Sequence, residues 1–493
     1  MREYSPKRRT ALVLTGSGVA GAYHAGALRA LDESGVKLDL VVGSGVGCVA
    51  AALAAVDGGS KLHGTGGFWD GARKASFFRL RGGLRLGLAL LSLAALAFLL
   101  PLALALLAGL LFPLLLLADA VWPGVLASAL AGGGAALPGI RLGYLLGLAA
   151  PVFLGCAVAG VALLRALARD RRRLAEAFET PFDADPGLAR LRESLWAVAR
   201  GVALSGAPPA PAEIGRRYVA LAQENEGQPG FRELILRAGD LETGRALPFV
   251  LLAAARREAF AAARSRGPRS RIDGLPDAVD LASAAHAPLF FDAVASGLLP
   301  VPFVPPRRAA FPKGGIFAGE AHRLADATLV GGSGLEEALQ AGAEQVILVS
   351  ASAERASLPP RRRGPRALFD AALLALERQA LERDVAETLR FNRLIETLGH
   401  ESEDGERAWQ DPETGKLHRP LALYVVRPES RALLPLELDG ALDPASEVEQ
   451  TLADLAEQGY RDAFRAFVEP VLGASPEPRR AEAEEILEQE VEL

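Results

Sequence analysis

Two long stretches without any charged residue limit what this 493-residue chain can form. Residues 86–118 contain 33 consecutive uncharged residues, and residues 142–164 contain 23. A helix needs about 20 apolar residues to cross a bilayer core of roughly 30 Å. Both stretches are long enough, so they predict a transmembrane helical hairpin over residues 84–168. The alternative is a pair of helices buried in a large soluble core, which the length and leucine content of the stretches disfavour.

Basic residues on both sides of the hairpin predict its orientation. Positive flanks stay cytoplasmic, and two such flanks on one side require an even number of crossings. We therefore expect an integral protein of the cytoplasmic (inner) membrane with a cytoplasmic globular part. The same residues would attract an anionic phospholipid surface, so membrane lipids are the expected partners. The flanking residues are Arg73, Lys74, Arg79, Arg81 and Arg85, then Arg165, Arg169, Arg171, Arg172 and Arg173.

Composition excludes several other classes of function. The net charge of −5 gives no reason to expect a nucleic-acid partner. The two cysteines, Cys48 and Cys156, form neither a disulfide framework nor zinc-ligand spacing, which suits a reducing compartment. No metal site is predicted. The apolar run at residues 11–14 is too short for a secretory signal peptide.

Strand–turn–helix patterns lie on both sides of the hairpin, and they predict one α/β fold with a mostly parallel central sheet. The predicted strands are residues 9–15, 38–42, 233–237, 345–350 and 421–426, and the predicted helices are residues 22–33, 48–55, 335–341 and 367–397. The resulting division is an N-terminal part of the domain (1–83), the hairpin (84–168), a C-terminal part (169–470) and an acidic polar tail (471–493).

Residues 41–47, V-V-G-S-G-V-G, resemble a nucleophile elbow from which the nucleophile is missing. A serine hydrolase elbow has the pattern G-x-S-x-G between a strand and a helix. Here Gly43 and Gly47 are the outer glycines, and the central position is Gly45. The nearby hydroxyl, Ser44, comes one residue too early.

A second glycine motif, G-S-G-V-A-G at residues 16–21, follows the first predicted strand. It matches the dinucleotide pattern G-x-G-x-x-G, but that fold also needs an acid at the end of the second strand. Asp39 lies at the start of that strand, so a dinucleotide is not expected. No other cofactor is predicted. The alternative is an oxyanion hole, in which Gly16, Ser17 and Gly18 offer backbone N–H groups in front of a helix N-terminus.

Together these motifs resemble the start of the patatin-like phospholipase family, and later segments fit the same family. Those segments are G-A-L at 26–28, D-L-E-T-G-R at 240–245, A-S-G-L-L-P at 295–300, L-A-D-A at 324–327 and G-A-E-Q-V-I at 342–347. The resemblance implies an α/β/α sandwich, here interrupted by the hairpin. It also implies a Ser–Asp dyad that cleaves acyl esters of lipids, with Asp326 as the dyad aspartate.

The chain departs from that family at the reacting positions, which are Gly45, Ser17, Ala20 and Ala327. Several coincident departures favour natural degeneration over a single engineered replacement. Glycine also adopts the strained elbow geometry at little steric cost. We therefore expect a non-catalytic protein that binds membrane lipid or acyl chains. The alternatives are an active acyl hydrolase that uses a displaced Ser44 with Asp326 and, less favoured, a nucleotide-binding module. The sequence does not determine the oligomeric state.

Overall fold

A computed structural model gives the fold of the protein. It describes residues 4–82 with gaps at 19, 57–58, 65 and 73–75, separate positions between 85 and 161, residue 180, and residues 182–200 and 206–265. It also describes residues 278–354 with gaps at 301–302 and 314–315, and residues 365–473 with gaps at 402–406, 411–416, 430–440 and 443–448. Contacts divide the chain into two units, Met1–Arg79 with Ala184–Leu493, and Leu80–Asp183.

The described strands are β1 (Thr10–Gly16), β2 (Leu40–Gly45), β3 (Arg79–Leu80), β4 (Phe182–Asp183), β5 (Glu233–Asp240), β6 (Arg245–Leu251), β7 (Val279–Asp280), β8 (Arg307–Ala310), β9 (Ala321–Asp326), β10 (Gln345–Ser350), β11 (His400–Glu401), β12 (Arg407–Gln410), β13 (Leu417–His418), β14 (Ala422–Val426), β15 (Ala441–Leu442) and β16 (Glu449–Gln450).

The described α-helices are α1 (Ala20–Glu33), α2 (Gly47–Ala54), α3 (Ser60–His63), α4 (Asp185–Ala199), α5 (Pro211–Glu224), α6 (Ala254–Ser265), α7 (Phe290–Ser296), α8 (Leu335–Gln340), α9 (Pro365–Leu398) and α10 (Leu452–Ala463). A π-helical segment, Phe464–Leu472, continues α10.

Nine of the described strands form one sheet, with the path β14-β10-β1-β2-β5-β6-β7. Off this path, β9 pairs with β5 and β8 pairs with β9. The strands from β14 to β5 are all parallel, whereas β6 and β9 run antiparallel to β5. Every residue of β1, β2 and β10 is buried. Because helices cover both faces of a parallel sheet, such strands are apolar throughout, as the predicted strand patterns are. The predicted α/β fold with a mostly parallel sheet is therefore confirmed.

The two faces of the sheet have separate hydrophobic cores. The larger core contains Leu12, Val41 and Leu236 together with α1, α2, α5 and α7. The smaller core contains Val13, Val42 and Ile235 together with residues of α6, α8 and α9. Successive strand residues point to opposite faces, so odd and even positions of β2 contact different cores.

Helices α1 and α10 approach each other closely on the larger face. A Cβ at Gly26 of α1 would overlap the backbone of Ala456, and a Cβ at Gly459 of α10 would overlap the carbonyl oxygen of Tyr23. The hydroxyl of Tyr23 also donates a hydrogen bond to Asp462 at 3.0 Å. The C-terminal helix is therefore part of the same domain as the glycine loop.

Among the described residues, none of the helices is both long enough and apolar enough to cross a bilayer. Most of the predicted hairpin, residues 84–168, lies outside the described residues, and so does the predicted acidic tail from 474 onward. The hairpin stays a prediction. Its predicted range falls inside the second contact unit, Leu80–Asp183.

Two predicted strands were too short. The strand predicted at residues 38–42 begins at Leu40 and continues to Gly45, and the strand predicted at 233–237 continues to Asp240. Both extensions pass through polar or glycine residues that are buried and paired with neighbouring strands. Tertiary pairing outweighs the low strand preference of those residues. The first extension places Ser44 inside a strand rather than in a turn.

Candidate functional site

The elbow-like sequence forms a tight corner between a strand and a helix. β2 ends at Gly45, Val46 follows, and α2 begins at Gly47. Gly45 has φ +61°, in the left-handed region that residues with a side chain rarely adopt. A Cβ at Gly43 would lie 2.6 Å from the Cα of Cys48, so the corner also needs glycine on its strand side. The sequence folds this way because its glycines permit backbone contacts that side chains would prevent.

Asp326 lies beside position 45. It is the last residue of β9, its backbone pairs with Ala238 of β5, and its side chain is buried. A Cβ at Gly45 would be 2.7 Å from Asp326 Oδ1, so the structure brings these two predicted site residues together. Burial raises the pKa of Asp326, although hydrogen bonds from Ser17 and Thr328 oppose the increase.

Ser17 makes the hydrogen bond to Asp326 that a nucleophile at position 45 would be expected to make. Its hydroxyl donates to Asp326 Oδ2 at 2.6 Å and lies 2.8 Å from Thr328 Oγ1. Oδ1 of Asp326 accepts the backbone N–H of Thr328 at 2.9 Å. Sequence reasoning assigned Ser17 to an oxyanion loop and missed this contact. The available signal was a hydroxyl side chain at a position where the family has glycine.

Gly16 presents its carbonyl oxygen to the elbow. This oxygen accepts the N–H of Val46 at 2.8 Å, and a Cβ at Gly45 would overlap it. In a serine hydrolase elbow, the N–H of the residue after the nucleophile is one of the oxyanion donors. Here that N–H already has a protein acceptor, the carbonyl oxygen of Gly16. The oxyanion hole predicted from the backbone N–H groups of Gly16, Ser17 and Gly18 stays a prediction.

Ser44 is directed away from Asp326. Its hydroxyl accepts a hydrogen bond from Arg237 Nη1 at 3.1 Å, on the face of the sheet that carries the smaller core. Arg237 also donates to Glu337 Oε1 at 3.0 Å and to the carbonyl oxygens of Gly331 and Gly332. Because adjacent strand residues point to opposite faces, Ser44 and the Cβ direction of Gly45 diverge. The structure does not bring Ser44 and Asp326 together.

Cys48 is the other nucleophilic side chain near the corner. It lies in the first turn of α2 and its thiol donates to the carbonyl oxygens of Gly43 and Arg237, each at 3.3 Å. Burial raises the pKa of Cys48 to about 12. The reactive form of cysteine is the thiolate, so this thiol is unreactive at neutral pH. Its role is to fill space under the corner.

Glu377 of α9 is a second buried carboxyl group that interacts electrostatically with Asp326. Its Oε1 has no hydrogen-bond partner within the part of the chain that the structure describes. Burial, with a smaller contribution from the charge of Asp326, raises the pKa of Glu377 from 4.5 to about 8. The folded protein therefore holds a proton here that the unfolded chain releases near pH 4.5.

This proton makes stability depend on pH. The contribution of Glu377 is fully present below pH 4.5 and is lost as the pH rises towards 8, because only the unfolded chain is ionised over that interval. One pKa unit corresponds to about 1.4 kcal/mol, so the effect is roughly 3–5 kcal/mol. Glu377→Gln removes the titration, and we expect it to flatten the decrease in Tm between pH 5 and pH 8 in detergent. Glu382→Gln, on the exposed side of the same helix, is the control, and an equal pH dependence in both variants would contradict this assignment.

No three His, Cys, Asp or Glu side chains of the described residues are grouped so as to hold a metal ion. The described residues that lie together at the elbow are Gly45, Asp326 and Ser17. The sequence resemblance alone had predicted that Gly45 and Asp326 belong to one site.

Comparison with protein families shows which family the N-terminal part of this chain resembles. The family model described as Patatin-like phospholipase matches residues 12–115. The predicted resemblance is thereby confirmed, and the chain carries a patatin-like phospholipase segment that includes the glycine loop and the elbow. The match ends well before Asp326, whose proximity to Gly45 is a finding of the structure.

Other comparisons add little. A comparison with curated proteins found no match. Among solved structures, the crystal structure of VipD from Legionella pneumophila is 14% identical in sequence, and the alignment covers 94% of this chain and 67% of that chain. Its TM-score of 0.29 is too low to establish a shared fold.

Proposed function

We propose that this chain is a patatin-like protein without acyl-transfer activity, which binds membrane lipid or acyl chains at the cytoplasmic leaflet. One observation carries the loss of activity. The carbonyl oxygen of Gly16 fills the space where a side chain at position 45 would start, and it takes the N–H of Val46. Position 45 thus lacks a nucleophile and the room for one, and the N–H of Val46 is not free to bind an oxyanion. Without a positioned nucleophile no acyl-enzyme can form.

The alternative of an active hydrolase that uses Ser44 with Asp326 is less well supported. Ser44 is 1% exposed and hydrogen-bonded to Arg237 on the other face of the sheet. Even a displacement of about 1 Å from the productive position can reduce a rate by on the order of 100-fold. Reversing the direction of a strand residue would require a register shift, which would move the whole strand.

The lipid-binding part of the proposal is supported by the sequence. Residues 86–118 and 142–164 have the length and composition of membrane spans, with basic residues on both outer flanks. A scaffold that no longer cleaves esters can still hold an acyl chain, because burial of each CH₂ group is worth about 0.8 kcal/mol.

Three measurements on the full-length chain test this proposal. After carbonate extraction at high pH we expect the protein in the membrane pellet. Mass spectrometry of the detergent-purified protein should detect co-purified acyl lipid. Phospholipid vesicles and activated acyl esters should be hydrolysed no faster than with the Asp326→Asn variant. Hydrolysis that Asp326→Asn abolishes would refute the loss of activity, and a soluble, lipid-free protein would refute the membrane role.

A further inference from the structure

A single short segment blocks three separate requirements of a serine–aspartate site. This segment, residues 16–17, is called the blocking segment below. Its Gly16 carbonyl overlaps the Cβ position of residue 45, and the same oxygen accepts the N–H of Val46. Its Ser17 hydroxyl occupies Oδ2 of Asp326 at 2.6 Å. A serine at position 45 would need all three of these places.

The blocking segment is the part of the site that a side chain anchors, because Ser17 is hydrogen-bonded to Asp326. On its other side the elbow contacts Gly297, the residue after α7, where a Cβ would overlap the carbonyl oxygen of Gly45. That contact is between backbone atoms at the ends of β2 and α7, and no side chain anchors it. The blocking segment lies where β1 ends: Gly16 is the last residue of the strand, and Ser17 lies between it and Gly18, which has φ +59°. Glycines in such conformations leave the backbone free to change direction.

We propose that Ser17, through its hydrogen bond to Asp326, holds the blocking segment in place over a latent serine–aspartate site. This inference goes beyond the proposed function, because it concerns what the scaffold can do once two residues are exchanged. It rests on the proposed absence of acyl transfer in the natural chain.

The hypothesis predicts that restoring the nucleophile alone fails. In Gly45→Ser, the new Cβ meets the Gly16 carbonyl, and Ser17 still occupies Asp326. In Ser17→Gly/Gly45→Ser, no side chain anchors the blocking segment to Asp326. The new hydroxyl can therefore displace the Gly16 carbonyl and donate a hydrogen bond to Asp326. The same displacement frees the N–H of Val46 to stabilise an oxyanion. A donor of this kind is worth about 100-fold in rate.

A fluorophosphonate probe reports directly on this chemistry. The hydroxyl introduced by Gly45→Ser attacks phosphorus, an O–P bond forms, and the P–F bond breaks with release of fluoride. The hydroxyl proton passes to the carboxylate of Asp326. Burial raises the pKa of this carboxyl group, so its ionised form is a stronger base than an exposed aspartate.

The experiment compares five full-length proteins in detergent: the natural chain, Ser17→Gly, Gly45→Ser, Ser17→Gly/Gly45→Ser and Ser44→Gly/Gly45→Ser. The last is the matched control, because it removes a neighbouring buried serine that faces the other core. We expect labelling of Ser17→Gly/Gly45→Ser at residue 45. This labelling should be about 100-fold faster than in Gly45→Ser or in Ser44→Gly/Gly45→Ser, which both retain Ser17. Adding Asp326→Asn should abolish it.

Two results would overturn the inference. One is a folded Ser17→Gly/Gly45→Ser protein that is not labelled, and the other is equally fast labelling of Gly45→Ser alone. Labelling of the natural chain at Ser17 would instead refute the proposed function, so the two failures are distinguishable.

A second measurement applies if the Gly45→Ser proteins do not fold. Hydrogen exchange of the Val46 amide should accelerate in Ser17→Gly and remain slow in Ser44→Gly. Unchanged exchange in Ser17→Gly would overturn the inference on its own.

Discussion

Gly45→Ala is expected to lower the free energy of unfolding by about 2–5 kcal/mol. A residue with a Cβ at φ +61° loses about 1–2 kcal/mol relative to glycine. The overlap with the Gly16 carbonyl adds about 1–3 kcal/mol, which is the usual range for overpacking a dense interior. This carbonyl is backbone and is hydrogen-bonded to Val46, and Ser17 anchors the same segment to Asp326, so the carbonyl resists displacement while Ser17 is present.

Gly35→Ala provides the control for this prediction. Gly35 has nearly the same backbone angle, φ +66°, but no atom lies within 4 Å of its Cβ position. It should therefore show only the backbone contribution of about 1–2 kcal/mol. Chemical denaturation of both variants in detergent measures the difference. Equal losses would mean that the Gly16 carbonyl does not close the elbow.

Arg237→Leu is expected to have the largest effect outside the elbow, about 3–5 kcal/mol at neutral pH. Arg237 and Glu337 form an ion pair at 3.0 Å, with their side chains 5% and 4% exposed. Removing one member leaves a buried charge with poorer compensation. The carbonyl oxygens of Gly331 and Gly332 would lose their donors as well. Arg264, at 3.6 Å from Glu337, compensates only in part.

The pH dependence gives this prediction a second readout. Burial alone would raise the pKa of Glu337, but the charges of Arg237 and Arg264 outweigh it and lower the pKa below 4.5. In the natural chain this contribution is present above pH 4.5 and lost as the pH falls through the folded-state pKa. The destabilisation by Arg237→Leu should therefore shrink in acid, where Glu337 becomes neutral.

Arg323→Leu is the matched control for the ion pair. Arg323 lies on β9 and pairs with Glu242, but the two side chains are 56% and 41% exposed. Exposed pairs of this kind contribute little to stability because water and salt screen them. Thermal unfolding should therefore separate Arg237→Leu clearly from Arg323→Leu. Similar shifts in Tm for both variants would contradict a structural role for the buried pair.

The local patterns around the elbow predicted the fold well. Apolar runs followed by glycines predicted β1, α1, β2 and α2 to within two or three residues, because periodicity and turn chemistry act over short distances in the chain. The position of Asp326 beside Gly45 followed from family resemblance. Physical reasoning about the residues alone could not bring together positions that are far apart in sequence.

The contacts that decide the state of the site were not predictable. Ser17 and Asp326 are 309 residues apart, and the hydroxyl at position 17 does not by itself indicate which residue it contacts. The prediction of Ser44 as a displaced nucleophile assumed that it lies in the turn. Pairing with Thr15 of β1 and Arg237 of β5 extends the strand through Ser44 and fixes its direction. Strand register, a property of the whole sheet, determined that outcome.

Hydrogen exchange at the Val46 amide tests most directly whether the elbow is closed. If its N–H is held by the Gly16 carbonyl, this amide should exchange only through large-scale opening, with a protection free energy close to that of the strands β1 and β2. Exchange on the timescale of an unprotected loop amide would contradict this. The oxyanion donor would then be free, and the site would not be closed by its own glycine loop.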